Sequence, residues 1–319
     1  MKSTYSERNT VSESSLNLKI IHYWHSLKRY LFNHQRLTMY TLGRFQIVRQ
    51  LALLLSKQAS LPEPATGTVL AEISTETVVS GLDTNGYYAG LQLPTEIVEK
   101  ILRFAEANSF YDDQNPEKFY TYQDFQQQEV RDRHKVLIGR YTNTAQDCPA
   151  ITALQRDPQL VAIATKYLGR EPGHSDHRLW WSLANSVTDE HARVRSGQEF
   201  HYDLDDYRTI SFFFYLKDVD TLGGPLMFIQ GSHKKKKLKY LLSMFKARPE
   251  SDLLKFYRPD DFREMRGPAG FGFAVDLFGY HRGKPPEKSD RLALQIRFAL
   301  NNYNSDGHTL DGFQGAAAK

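Results

Sequence analysis

The feature that most constrains the fold is a series of short runs, rich in aromatic and branched residues, in the second half of the chain. Glycine, proline, aspartate and serine separate them, which is typical of strands joined by turns. The clearest runs are RLWWSLANSV (178–187), TISFFFYLKDV (209–219), GPLMFIQGSH (224–233), FGFAVDLFGYH (271–281) and RLALQIRFALNNY (291–303). Because helical patterns do not alternate with them, they predict a double-sheet β fold with flanking helices rather than a parallel sheet.

The middle of the chain predicts a strand and two helices. A short strand is expected around residues 87–88, and Pro94 begins a helix, a position that proline favours. A further helix fits residues 148–169 and ends at a glycine. Its first residue, Cys148, is expected to be buried.

The N-terminal segment is basic and helical in pattern. Residues 1–60 carry nine lysines and arginines against two glutamates, so the net charge of +4 for the chain comes from this segment. Residues 16–57 predict two helices with a break at 32–34, and residues 58–80 predict a loop. We expect the helices to pack on the rest of the chain. The alternative is an amphipathic segment on a membrane surface, in which Lys28, Arg29, Arg36, Arg44 and Arg49 contact anionic lipid.

Composition excludes several kinds of site. One cysteine rules out both a disulfide framework and a thiolate zinc site within one chain. No apolar run reaches the roughly 18 residues needed to cross a bilayer. The N-terminus lacks the apolar core of a secretory signal. The expected location is therefore cytoplasmic, with residues 16–57 as the candidate for peripheral membrane contact, and no nucleic-acid partner is indicated.

The stretch EFHYDLDDYR (199–208) contains the strongest candidate for a metal site. Side chains two apart on an extended segment share a face, so His201 and Asp203 can reach the same space. Alone, the pair is better explained as a polar hydrogen-bonding pair than as two metal ligands. A non-heme Fe(II) site needs a second imidazole, and His281, at the end of a later strand, is the candidate.

Two arginines are candidates for binding a carboxylate. Arg291 follows His281 after a polar turn, and Arg297 lies six residues further along the same predicted strand, on the same face. A guanidinium binds a carboxylate bidentately. A metal site with open positions and a carboxylate anchor together indicate a 2-oxoglutarate oxygenase, with Arg291 preferred as the anchor.

Four motifs, in order, carry a resemblance to a known family. They are TNGYYAGLQLPTEIVEKIL (84–102), FHYD (200–203), GGPLMFIQGSHK (223–234) and HRGKPPEKSDRLALQIRFA (281–299). Together they resemble the phytanoyl-CoA dioxygenase family of Fe(II)/2-oxoglutarate oxygenases. The family often has asparagine between its distal histidine and arginine, where this chain has PPEKS.

The resemblance implies a double-stranded β-helix, a relative of the jelly roll, with a complete site inside it. The implied domains are a basic helical extension (1–81), an oxygenase domain (82–305) and a C-terminal tail (306–319). The implied site residues are His201, Asp203 and His281 as Fe(II) ligands, Arg291 as the 2-oxoglutarate anchor, Phe213 as a wall of the cosubstrate pocket and His233 near its mouth. For Phe213 a place in the core is an equally good reading, and for His233 a place in a turn is the alternative.

The implied activity is oxidation, most simply hydroxylation, of a small organic or lipid-like metabolite by Fe(II), 2-oxoglutarate and O2. Related halogenases have a small residue where Asp203 stands, so halogenation is not expected. Demethylation, desaturation and cyclisation stay open as outcomes. A different class of function, a scaffold or peripheral membrane protein with a degenerate oxygenase fold, also stays open, and Fe(II) binding distinguishes the two.

Other charged residues are expected to be structural. His174 and His177 are assigned to a solvated turn, with a metal-binding pair as the alternative. Asp205 and Asp206 are assigned to a charged loop, with substrate contact as the alternative. Residues 234–237, all lysines, are assigned to a solvated strand end, with binding of a phosphate-like anion as the alternative.

Overall fold

A computed structural model describes residues 34–55, 67–71, 73–184, 197–243 and 245–303. The first predicted N-terminal helix, with Lys28 and Arg29, and the predicted C-terminal tail lie outside the described residues. Among the described helices, none is long and apolar enough to cross a membrane.

The described part of the chain contains eleven strands, ten α-helices and two short 3-10 helices (Asp124–Gln126 and Pro259–Asp261). The strands are β1 (Tyr87–Gln92), β2 (Ser109–Asp112), β3 (Asn115–Thr121), β4 (Ile138–Arg140), β5 (His174–Ser182), β6 (Thr209–Tyr215), β7 (Leu226–Ile229), β8 (Phe262–Met265), β9 (Phe271–Val275), β10 (His281–Gly283) and β11 (Arg291–Ala299). The helices are α1 (His34–Leu42), α2 (Gln46–Leu55), α3 (Thr75–Asn85), α4 (Thr95–Ala107), α5 (Gln128–His134), α6 (Thr144–Asp147), α7 (Pro149–Gln155), α8 (Pro158–Leu168), α9 (Leu238–Leu241) and α10 (Glu250–Leu253).

Two antiparallel sheets form the core. The larger has the order β1-β9-β6-β11-β5-β4-β2-β3, and the smaller has the order β10-β7-β8. An interior cluster joins them, because Phe213 and Phe273 of the larger sheet pack with Leu226 and Met265 of the smaller one. The predicted fold class, a mainly β, jelly-roll-like core with flanking helices, is confirmed.

Alternation along the central strands separates the two faces of the larger sheet. Phe212 and Phe214 belong to the cluster that also contains the buried residues of α3, α4, α7 and α8, whereas Phe213 belongs to the interior cluster. On β11, Leu292 joins the helix-covered side and Ala293 the interior. Odd-numbered positions of β11 therefore face the interior, which places Arg291 and Arg297 on that side.

The predicted strand at residues 87–88 and the helix beginning after Pro94 are confirmed as β1 and α4. The single helix predicted over residues 148–169 is wrong, because the segment forms two helices, α7 and α8. Pro158 cannot donate the backbone hydrogen bond that a continuous helix needs, and Asp157 caps α8 by accepting from the amides of Gln159 and Leu160.

The predicted loop over residues 58–80 is also wrong in its last part. Helix α3 begins at Thr75, where the Ser74 side chain accepts from the amide of Thr77. The helix continues to Asn85 and ends at Gly86, which has a positive φ of 85°. The predicted domain boundary after residue 81 thus falls within a helix.

In the N-terminal segment, a further break at residues 43–45 separates α1 from α2.

Candidate metal centre

The three residues predicted as metal ligands come together. One ligand atom from each of His201, Asp203 and His281 lies within 4.8 Å of the others. Nε2 of His201 lies 3.8 Å from one carboxylate oxygen of Asp203, and Nε2 of His281 lies 3.8 Å from the other. Two imidazole nitrogens and one carboxylate are the donor set of a facial non-heme Fe(II) site.

A backbone bridge between two segments distant in sequence sets this geometry. The amide of His201 donates to the carbonyl of His281 at 2.9 Å, and the amide of His281 donates back at 2.8 Å. The amide of Asp203 donates to the carbonyl of Leu277 at 2.8 Å. Tyr202 faces the opposite side and packs against Phe278. The H-x-D motif therefore lies on an extended segment tied to the start of β10, and not within a sheet strand.

Both imidazoles are oriented by their second nitrogen. Nδ1 of His201 lies 2.8 Å from the carbonyl oxygen of Glu199, and Nδ1 of His281 lies 3.0 Å from that of Gly279. Since a carbonyl can only accept, each Nδ1 carries the proton and each Nε2 keeps its lone pair. Burial, with a contribution from His201, lowers the pKa of His281 to about 4, so this imidazole is neutral at pH 7. These residues fit a divalent iron ion.

Arg291 is a buried guanidinium that pairs with no carboxylate among the described residues. Its Nη2 donates to the Ser182 hydroxyl at 2.8 Å, and its Nε has no hydrogen-bond partner in the described part of the chain. Burial lowers its pKa. A Cβ built on Gly283 would lie 3.5 Å from the Arg291 Nη2 atom. Gly283 lies two residues after His281 on β10, roughly 7 Å along the strand, so the guanidinium lies beside the strand that carries one candidate ligand.

Arg297, the competing anchor, has its charge neutralised. Its Nε donates to Asp176 at 2.9 Å and its Nη1 donates to Asp205 at 2.8 Å. Burial lowers the pKa of Arg297, but the two carboxylates outweigh it and hold the pKa above its usual range. The surroundings therefore favour Arg291 over Arg297 as the arginine that is free to bind a carboxylate ligand.

Phe213 faces the interior between the sheets. Its ring stacks on Phe273 at 5.3 Å between centroids and meets the edge of Trp180 at 6.1 Å. The side chain thus belongs to the interior core cluster, which also contains Leu277 and Ala293. Both readings of Phe213, core residue and pocket wall, are compatible with this position, and its contact with a cosubstrate stays a prediction.

His233 lines a different cavity, of about 140 Å³, whose walls include Arg49, Arg208 and Asp276 and none of the candidate ligands. Its Nε2 lies 3.2 Å from the carbonyl oxygen of Asp83, and its Nδ1 has no partner among the described residues. No contact in the described structure supports a role for His233 at the cosubstrate mouth, and that role stays a prediction.

Asp276 is a functional candidate that the sequence analysis missed, and it contacts Arg49, which that analysis named only as a possible lipid contact. The Asp276 carboxylate accepts from the Tyr167 hydroxyl at 2.8 Å, from the Phe278 amide at 3.0 Å and from Arg49 Nη2 at 3.4 Å. The amide of Gly279 donates to the Asp276 carbonyl at 2.8 Å. Asp276 thus fixes the turn whose carbonyls orient the ligands, and Arg49 joins the N-terminal segment to it. The only signal in the sequence was an aspartate five residues before His281.

Several structural assignments need correction. His174 and His177 lie on β5 and not in a solvated turn, and His177 is buried between Thr144 and Gln155. Asp206, assigned to a charged loop, is also buried and accepts from the amide of Asn301 at 2.6 Å.

Within the lysine run at residues 234–237, Lys236 is not solvated. Its Nζ lies 3.8 Å from the centroid of the Phe278 ring and donates to the carbonyl of Ser232 at 2.6 Å. Burial holds the pKa of Lys236 well below its usual value.

The prediction for Cys148 is confirmed, because this residue is buried at the start of α7.

The sequence matches no protein-family model and no curated protein. Solved structures overlap with the described fold at low identity. HygX from Streptomyces hygroscopicus, with nickel, 2-oxoglutarate and hygromycin B bound, is 15% identical with a TM-score of 0.47, over 71% of this chain and 87% of its own.

Two further structures have similar values. The epimerase SnoN, in complex with Fe3+, alpha ketoglutarate and nogalamycin RO, is 14% identical with a TM-score of 0.46, over 77% of this chain and 92% of its own. EvdO2 from Micromonospora carbonacea var. aurantiaca, complexed with 2-oxoglutarate, is 11% identical with a TM-score of 0.46, over 72% of this chain and 92% of its own.

Proposed function

We propose that this chain is a non-heme Fe(II)- and 2-oxoglutarate-dependent oxygenase that oxidises a small organic or lipid-like molecule. The observation that carries the proposal is the convergence of His201, Asp203 and His281, with both Nδ1 atoms engaged and both Nε2 atoms free. The order of the sequence motifs favours the phytanoyl-CoA dioxygenase-like family within this class.

Each residue has a defined task in the proposed reaction. His201 and His281 hold the ion through Nε2, and Asp203 holds it through its carboxylate. Arg291 binds the distal carboxylate of 2-oxoglutarate, for which it has free donors. Phe213 and its aromatic neighbours exclude water from the interior. When bound, Fe(II) and 2-oxoglutarate would supply the oxidising chemistry, with O2 as the oxidant.

Hydroxylation is the outcome we propose. Position 203 carries a carboxylate and not a small residue, so the chain fills the place that a halide would need. Demethylation, desaturation and cyclisation use the same ligand set and are separated only by identifying the product. Mass spectrometry of candidate metabolites, incubated with protein, Fe(II), 2-oxoglutarate and O2, makes that identification.

Anaerobic titration of metal-free protein with Fe(II) tests the proposal. We expect one ion per chain, and we expect His281→Ala to abolish this binding because it removes one of three protein bonds to the ion. His134→Ala, on α5 and outside the cluster, is the matched control and should bind like the wild type. A folded wild-type protein that binds no Fe(II) would instead support the degenerate-fold alternative.

A further inference from the structure

Helix α2 is oriented with its apolar side outward. Ile47, Leu51, Leu54 and Leu55 are 72%, 51%, 80% and 85% exposed, whereas Arg49 is 5% exposed. A helix that serves only to cover a core has the reverse arrangement, with leucines inside and charges outside. Helix α2 is therefore attached to the body through the buried Arg49 and the partly buried Leu53, and it presents its other large apolar side chains outward.

A lysine-rich segment adjoins this helix. Arg44, just before α2, donates through Nη1 to the carbonyls of Leu241 and Ser243 at 3.2 and 2.7 Å. Lys234 lines the same cavity as Gln50 and Leu53 of α2. The two segments, residues 42–55 and 234–243, are therefore neighbours, and we call their exposed surface the basic-apolar face.

The lysine-rich segment also exposes apolar side chains between its charges. Leu238 and Leu242 are 60% and 64% exposed, and Lys234, Lys235 and Lys239 are exposed beside them. Leu42 on α1 is 45% exposed as well. Large apolar side chains exposed on two neighbouring segments are typical of an interaction site on a soluble protein.

All charged side chains of the two segments are basic, and Lys234, Lys235 and Lys239 are exposed, whereas Arg49 is buried. Asp83 and Asp252 lie beside the segments. Residues 34–55 contain three arginines and no acidic residue, and residues 231–249 contain six lysines, one arginine and no acidic residue. Two copies of the chain joined through this face would bring like charges together, which opposes self-association. The occupant must be anionic, extended and able to receive apolar side chains.

We propose that the basic-apolar face docks on an anionic lipid surface. The leucines of α2 and of residues 238–242 enter the headgroup region, and the exposed lysines contact the lipid phosphates and carboxylates. This combination of apolar and cationic side chains is what binds interfacial segments to membranes. Packing on the body and membrane contact are thus not alternatives for this segment, because Arg44 and Arg49 face inward while the leucines face outward.

Co-sedimentation of the full chain with lipid vesicles tests the proposal. The protein should sediment with vesicles of equimolar phosphatidylcholine and phosphatidylserine, and not with phosphatidylcholine alone. Release is expected in about 1 M salt, where charges are screened within about 3 Å. Lys235→Gln with Lys239→Gln should lower the partition coefficient roughly fivefold for each lysine removed.

The apolar half of the face is tested by Leu54→Gln with Leu55→Gln, since glutamine keeps helix propensity while removing apolar surface. We expect this variant to lose most of the sedimentation at unchanged thermal stability. Lys118→Gln with Phe119→Gln, exposed residues on the edge strand β3, is the matched control and should sediment like the wild type.

Two outcomes would overturn the proposal. One is equal sedimentation of the wild type and the Leu54/Leu55 variant, which would place lipid binding elsewhere in the chain. The other is absence of vesicle binding together with concentration-dependent self-association that the same variant abolishes, which would make the face a protein interface.

Discussion

Arg291 and Arg297 lie on one strand and face the same interior, yet their surroundings are opposite. Arg297 binds two carboxylates, and Arg291 binds one hydroxyl through Nη2 while its Nε has no partner among the described residues. A buried cation without a counter-charge is costly to keep. A carboxylate ligand that neutralises the Arg291 guanidinium would explain why the chain keeps this buried cation near the candidate ligands.

Substitution of the two arginines should therefore have different effects. Arg291→Gln should weaken 2-oxoglutarate binding roughly 10- to 100-fold, because a hydrogen bond to a charged group is lost. Arg297→Gln should leave that affinity intact and lower the free energy of unfolding by about 3–5 kcal/mol, because it breaks a buried ion pair. Calorimetric titration with 2-oxoglutarate and urea unfolding measure the two effects. If Arg297→Gln weakened 2-oxoglutarate binding and Arg291→Gln left it intact, Arg297 would be the anchor.

The sequence could place both arginines on one face, because residues six apart on a strand point the same way. It could not choose between them from their surroundings. The choice depends on Asp176 and Asp205, whose contacts with Arg297 come from segments 121 and 92 residues away. Likewise, the H-x-D spacing predicted which side chains converge, but the backbone bridge to residue 281 that holds them was not visible in any local pattern.

At the scale of elements, the turn at residues 276–279 connects the N-terminal segment with the ligand set. Arg49 on α2 contacts Asp276, and Asp276 fixes the turn whose Gly279 carbonyl accepts from Nδ1 of His281. Residues that orient a metal ligand typically change metal affinity 10- to 100-fold when they are replaced. A helix outside the predicted oxygenase domain is thus structurally tied to the proposed iron site.

We expect Arg49→Met to weaken Fe(II) binding by roughly tenfold or more. Fe(II) titration is carried out at a temperature where circular dichroism shows the variant to be folded, so that loss of affinity is not loss of fold. Arg49→Lys, which keeps the charge, should recover part of the affinity. Arg44→Met removes contacts of the same segment with residues 241 and 243 and is the matched control. Equal Fe(II) affinity in the wild type and Arg49→Met would show that Arg49 is only structural.

Elements with strong local patterns were predictable, and elements defined by distant partners were not. The run at residues 209–215 is mostly apolar and aromatic, which fits a strand with both faces buried, and every residue of β6 is buried. By contrast, β4 has three residues and exists through its pairing with β2 and β5. Helix α3 was missed because prolines and a glycine at residues 62–67 dominate the preceding pattern.

At the scale of the whole molecule, buried neutral histidines make stability depend on pH. Burial lowers the pKa of His233, with Lys234 and Lys236 acting in the same direction and Asp276 and the Asp83 carbonyl acting against them. Burial also lowers the pKa of His177. The unfolded chain therefore binds protons first as the pH falls below about 6.5, so the free energy of unfolding falls with acidification.

His233→Gln should make this pH dependence shallower. Each such histidine contributes at most about 1.4 kcal/mol per pH unit to the slope, and His177 retains its share. Urea unfolding of metal-free protein between pH 7 and pH 5 measures the slope, with His134→Gln as the control. A slope in His233→Gln as steep as in the wild type would contradict the assignment of His233 as a proton-linked group.

The reciprocal hydrogen bonds between His201 and His281 close a long loop of chain that contains four strands, β6 to β9. An ion held by both histidines would act as a non-covalent cross-link across that loop. The ligand set does not exist in the unfolded chain, so such an ion binds the folded state alone and raises the free energy of unfolding by mass action. The fraction of folded protein would then rise with the concentration of free iron. The cell's iron supply would therefore affect both the amount of folded protein and the rate of the proposed reaction.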